Sequence, residues 1–110
     1  MTSTHQNLAQ GRWNQMSFLQ QMANIGSEVE RFFNWRAKNN ADYSQKAFER
    51  ALELIDLTLD SVKSFPRLKE LARVRETIVE CFLDTTISAS AEFLLKSYFA
   101  QFTYAARKDY

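Results

Sequence analysis

The chain is poor in the residues that turn a backbone. Its 110 residues include two glycines, Gly11 and Gly26, and one proline, Pro66. An all-β domain needs many turns, and turns draw mainly on Gly, Pro, Asn and Asp. Few breaks mean long elements, and long elements in a chain of this size mean helices. Cysteine is as scarce: Cys81 stands alone, so no intrachain disulfide forms. It falls among Ile78, Val79 and Phe82 with no histidine near it in sequence. That setting reads as a small buried hydrophobe and not as a reactive thiol.

The sole histidine, His5, sits in a polar N-terminal stretch where nothing holds it in register. There is no Gly-rich phosphate loop, no Cys/His metal spacing and no nucleophile–base pair that sequence identifies. No catalytic residue, metal ligand or cofactor is therefore assigned, and the chain reads as a non-enzyme. Long apolar runs are missing too. The stretch MTSTHQNLAQ lacks the apolar core of a secretory signal. No run approaches the roughly 20 residues needed to cross a bilayer, so the expectation is a cytoplasmic protein without a membrane partner. Neither sign of charge dominates: 14 basic and 13 acidic residues leave +1. Dedicated nucleic-acid domains usually carry a large positive excess, so bulk charge gives that role no support.

What is present is helical periodicity. A chain of this length can bury roughly 65% of its unfolded surface, enough for one core. Residues 1–15 are polar and aperiodic and read as a flexible lead-in, with Trp13 and Met16 able to fold back over one end of that core. Residues 16–110 read as a single domain. The first helix is expected over Ser17–Lys38, opened by a Ser17/Gln20 capping box. Its stripe is Phe18, Met22, Ile25, Val29 and Phe32, at steps of 4, 3, 4 and 3. Gly26 beside that stripe costs about 1 kcal/mol relative to alanine, which points to a neighbouring helix in close approach. The second helix is expected over Asp42–Ser64, with Asp42 as N-cap, Gln45 as its box partner and Phe48, Leu52, Ile55, Leu59 and Val62 inward. Pro66 suits the first turn of a third helix carrying Leu71, Val74, Ile78 and Phe82 and ending near Asp84. After a polar link over 85–90, a fourth carries Ala91, Leu95, Tyr98, Phe102 and Ala105. Four helices with short links predict an all-α, antiparallel up-down four-helix bundle.

Four surface patterns bear on function. Glu49, Glu53, Asp56 and Asp60 line one flank of the second helix. Bundle di-metal sites add histidines and project inward, so this row reads as a solvated or ion-paired face. Lys63, Arg67, Lys69, Arg73 and Arg75 give residues 63–75 a net charge of +4. They read first as partners for the acidic flank and second as an anion or nucleic-acid patch, with Arg31, Arg36 and Lys38 as a further basic set. Arg75 falls inside the apolar stripe of its helix, which predicts a buried ion pair with Asp56 or Glu28. Arg36 prolongs the first stripe but lies near a helix end, where it can reach water.

The fourth pattern is a second apolar stripe on the last helix: Phe93, Ser97, Ala100 and Tyr104. It lies nearly opposite the first, and a monomeric bundle offers each helix only one inside. Either a second copy of the chain packs there, or Trp13 and the N-terminal segment cover it. The reading is a self-associating protein-interaction module, a homo-oligomer able to take a protein partner. The alternative is an RNA- or DNA-binding accessory protein using the third helix.

Over residues 17–108, four heptad-like helices resemble small bacterial helical bundles. These are the ribosomal intervening-sequence proteins, accessory proteins of diversity-generating reverse transcriptases, and HEPN-type toxin subunits. The resemblance rests on helix number and length and implies oligomers that engage RNA. The chain departs from it in two ways. No histidine follows any arginine, so the Arg-x4-6-His ribonuclease signature is missing, and the strongly basic balance of the accessory proteins is absent. No site residue carries over.

Overall fold

Ser17 starts the first long helix in the way its sequence predicts. The Ser17 hydroxyl accepts from the Gln20 N–H at 3.1 Å, and the Ser17 N–H donates to the Gln20 side chain at 3.1 Å. Two of the amides that a helix start leaves unpaired are thereby satisfied. In the computed structural model, which describes residues 10–84, 86 and 89–108, this helix is α2, Phe18–Ala37. A short helical segment, α1, precedes it over residues 10–14. Then come α3 (Ala41–Ser61), α4 (Phe65–Leu83) and α5 (Ala89–Lys108). The described residues are helical with short connections, and none is in a strand.

The helix boundaries follow local chemistry. Asn39 takes φ +60°, a left-handed conformation that asparagine tolerates better than most residues. The Asn40 N–H then reaches back to the Trp35 carbonyl at 3.0 Å and the Asn39 N–H to that of Arg36 at 2.9 Å, closing α2 in a Schellman pattern. The N-cap of α3 is Asn40, whose side chain accepts from the Tyr43 N–H at 3.1 Å. Asp42, expected in that role, instead lies in the first turn, and Gln45 donates to Glu49 at 3.1 Å. A chain leaving a left-handed Asn39 already puts the next side chain, Asn40, over the open helix end. Pro66 occupies the first turn of α4, where its missing N–H costs nothing.

The core keeps the predicted stripes of α2 and α4 and rotates those of α3 and α5. On α5 Phe99, outside the expected stripe, is buried with Leu95, while Ala91, Tyr98, Phe102 and Ala105 are half-buried. Met22, Ile25, Val29 and Phe32 are all but inaccessible. On α3 the buried set is Ser44, Ala47, Phe48, Ala51, Leu54, Ile55 and Thr58, while Leu52, Leu59 and Val62 are half-buried. Small side chains carry α3 close to α2, and the Ser44 hydroxyl donates to the Phe32 carbonyl at 3.1 Å. Phe48 and Phe82 stack at 3.9 Å between ring centroids, with Phe32 tilted against both. Cys81 is fully buried.

Helix α2 packs against α3 and α5, and α4 packs against the same two. The ends of the helices are tied by particular contacts. At the start of α2, Phe18 meets Phe102 near the end of α5 edge-on at 6.0 Å, and the Arg67 guanidinium stacks on its ring at 3.9 Å. At the other end Arg36 lies 4.5 Å over Phe32 and donates to the Phe82 carbonyl at 3.2 Å. A cation on the last carbonyls of α4 complements that helix's dipole.

Trp13 does fold back onto the core. It is 7% exposed, and its indole N–H donates to the Thr58 hydroxyl at 2.8 Å. Buried Gln21 donates to the Trp13 carbonyl at 2.8 Å, and Gln10 to the Leu57 carbonyl at 3.0 Å. Part of the polar lead-in is therefore a helical segment docked on α2 and α3. His5 lies outside the described residues.

Candidate interaction surface

The rotation of α5 about its own axis decides what the molecule shows to its surroundings, and Gly26 sets it. A β-carbon built at Gly26 would lie 2.7 Å from Cβ of Phe99 and 3.1 Å from its Cγ. The absence of a side chain on α2 thus lets Phe99 seat directly against the α2 backbone, as the mid-helix glycine led one to expect. Phe99 and Leu95 are buried. On one flank the Tyr98 hydroxyl donates to the Glu70 carboxylate at 3.0 Å. Burial, reinforced by that carboxylate, pushes the Tyr98 phenol well above its usual range. On the other flank Lys96 pairs with Glu92 at 2.9 Å and hangs over the Phe33 ring at 5.7 Å.

With those contacts made, the second stripe faces outward. Phe93 and Tyr104 are each 68% exposed, and Ser97 and Ala100 between them are exposed as well. Leu94, at 66%, widens the patch. Sequence reading missed Leu94 because it belongs to neither 4-3 series. Trp13 does not cover this face, since it is committed to Thr58 on α3; residues 1–9, the rest of the segment expected there, lie outside the described residues. Two more apolar side chains stand out in solvent, Phe65 at the start of α4 and Leu83 at its end.

The basic cluster does not form one patch. At about 100° per residue, Lys69 and Arg73 fall on the side of α4 opposite Leu71 and Ile78, and both are exposed. Arg67 is stacked on Phe18, and Arg75 is paired with Asp56. Lys63 precedes α4 and lines an open cleft of about 620 Å³ with Asp60, Phe18, Gln21 and Arg67. The second basic set is likewise engaged by its own chain: Arg31 with Glu28 at 3.3 Å, Arg36 with Phe82, and Lys38 over the Trp35 ring at 5.2 Å.

The predicted ion pair exists but is not buried. Arg75 Nε donates to Asp56 Oδ1 at 2.8 Å, with side chains 37% and 54% exposed. The hydrogen bond to Asp56 raises the Arg75 pKa, and partial desolvation opposes it. Glu28, the other candidate, belongs to Arg31. The reason is angular: Arg75 stands roughly 50° off the Leu71–Ile78 direction, and its long stem carries the charge to the rim. Elsewhere on the acidic flank Glu49 accepts from Gln45, and Glu53 pairs with Arg50 at 3.5 Å. Among the described residues no group of three or more His, Cys, Asp or Glu is gathered as metal ligands, and no helix is long and apolar enough to cross a membrane. Burial pushes the Cys81 thiol above its ordinary pKa, away from thiolate chemistry.

Compared with known protein families, with curated proteins and with solved structures, the chain matches none. The outer face of α5 presents two exposed aromatics, Phe93 and Tyr104, framing two exposed small residues, Ser97 and Ala100.

Proposed function

We propose that the chain is a non-enzymatic protein-interaction module, an antiparallel up-down four-helix bundle that associates with copies of itself through α5 in the cytoplasm. The single observation that carries this reading is the exposure of Phe93 and Tyr104 on a helix whose opposite face is already filled by Leu95 and Phe99. Full burial of a side chain of this kind contributes about 1.5–3 kcal/mol. Two that are two-thirds exposed therefore offer about 2–4 kcal/mol per protomer. A symmetric pair doubles that figure and reaches the lower range of the ~4–15 kcal/mol that association costs. The up-down reading draws support from the end-to-end contacts: Phe18 with Arg67 and Phe102, and Arg36 with Phe82.

Light scattering on the full chain and on Phe93→Glu/Tyr104→Glu tests it. The wild type should give a discrete oligomer and the double variant a monomer of unchanged helical content. An assembly indifferent to both substitutions refutes the assignment of the surface. Adding short RNA at low and moderate salt checks the competing role. A salt-sensitive gain in mass would move the functional surface to Lys69 and Arg73.

A further inference from the structure

We infer that the occupant of the α5 face is α5 of a second copy, running antiparallel about a two-fold axis midway between Ser97 and Ala100. This rests on the self-association reading above and adds its geometry. The stripe is palindromic in size: the point midway between Ser97 and Ala100 is also midway between Phe93 and Tyr104. A two-fold axis through that point sets Ser97 against Ala100 of the second copy, and Phe93 against its Tyr104. The helices come closest where side chains are smallest. On either side of the crossing an aromatic pair fills the wedge, in the offset or edge-on contact such rings prefer.

Packing alone would also allow a parallel pair, and charge separates the two. The first turn of α5 holds Glu92 as its acid, and the last turn holds Arg107 and Lys108. A parallel pair sets those two cations beside their own copies and aligns the helix dipoles side by side. An antiparallel pair sets Arg107 and Lys108 against the acidic, Glu92-bearing start of the partner helix, and opposes the dipoles. The aromatic rings add enough area to matter. Four of them, each two-thirds exposed, bring about 400–700 Å² to the contact from the ~150–250 Å² that such a side chain can bury. That is roughly half of the ~1,200 Å² at the low end for stable interfaces. Leu94 and the stems of Lys96 and Arg107 border the same face.

Nitroxide labels on Ser90→Cys and, separately, Gln101→Cys test the orientation. Both sites are exposed, share one flank of α5 and leave Glu92, Arg107, Lys108 and the aromatics in place. Cys81 is buried and escapes labelling. Light scattering on each labelled chain is read first and should give twice the 12.9 kDa chain mass. At 1.5 Å rise per residue, an antiparallel pair separates the two copies of residue 90 by about 25 Å along the helix axis, and those of residue 101 by about 8 Å. The electron–electron distance measured at Ser90→Cys should therefore clearly exceed that at Gln101→Cys. Equal distances at the two sites, in a chain that is still dimeric, mean a parallel pair and overturn this inference while the self-association reading stands. A monomer at the highest soluble concentration overturns both and leaves the face to a different protein.

Discussion

Gly26→Ala should destabilise this protein, although the same change in an exposed helix interior would stabilise it by about 1 kcal/mol. The added methyl carbon would sit 2.7 Å from Cβ of Phe99, 3.1 Å from Cγ and 3.3 Å from Cδ1. The nearest of these atoms is the root of a side chain fixed to the α5 backbone, so a rotamer change cannot relieve the overlap. Helices α2 and α5 must instead separate by several tenths of an ångström. Overpacking a filled core costs about 1–3 kcal/mol. Set against the propensity gain of about 1 kcal/mol, a net loss of up to about 2 kcal/mol is expected. In a chain of this size each kcal/mol is worth about 4–8 °C in melting temperature. Urea unfolding followed by far-ultraviolet circular dichroism measures the loss, and a double-mutant cycle with Phe99→Ala assigns it. Truncating Phe99 in the Gly26→Ala background should cost less than the ~3–5 kcal/mol typical of a buried phenylalanine. A Gly26→Ala chain more stable than wild type would refute the close approach, and with it the account of why α5 turns Phe93 and Tyr104 outward.

Three further perturbations probe other contacts. Thr58→Val strands the buried Trp13 indole N–H and should cost about 1–3 kcal/mol by urea midpoint; no loss would mean that α1 is not anchored there. Asp56→Asn breaks an ion pair half in solvent, so the midpoint should fall by less than about 1 kcal/mol and the difference should shrink in added salt. A larger, salt-resistant loss would restore the buried pair. Tyr98 keeps its proton more tightly when folded than when unfolded. Its contribution is fully present below the unfolded value of about 10 and is lost as pH rises above it. Stability should therefore drop more between pH 9 and 11 in the wild type than in Tyr98→Phe, and equal slopes would exclude a role for the phenol.

Local, repetitive signals were legible in the sequence. The Ser17/Gln20 box, the α2 stripe and the meaning of Gly26 depend on a few neighbouring side chains, and each appears in the structure. What failed depended on angles and on partners elsewhere in the chain. Arg75 lies close to the apolar stripe of α4 on a helical wheel, yet a long side chain some 50° off the core direction ends at the rim. The five cations of residues 63–75 look like one patch in linear order, but a helix sends Lys69 and Arg73 away from Arg67 and Arg75. The polar N-terminal stretch concealed α1 because it is held by isolated contacts, Trp13 with Thr58, Gln10 with the Leu57 carbonyl and Gln21 with the Trp13 carbonyl. No periodicity announces such a contact. The α3 core eluded large-residue patterning because small residues, Ser44, Ala47 and Ala51, are among its buried set.

Burial is shared unevenly among the helices. Helices α2 and α3 each bury seven residues, whereas α4 buries three and α5 two. Opening is governed locally by how much apolar contact a segment would lose. The amides of α4 and α5 should therefore exchange with solvent through a partial unfolding that leaves α2 and α3 closed. A second copy clasping α5 would bind the closed form alone, so its affinity would be read directly as slower exchange in this half of the molecule. On the proposed self-association, the protein would meet its partner with the part of itself that it holds least firmly, and assembly would complete its folding.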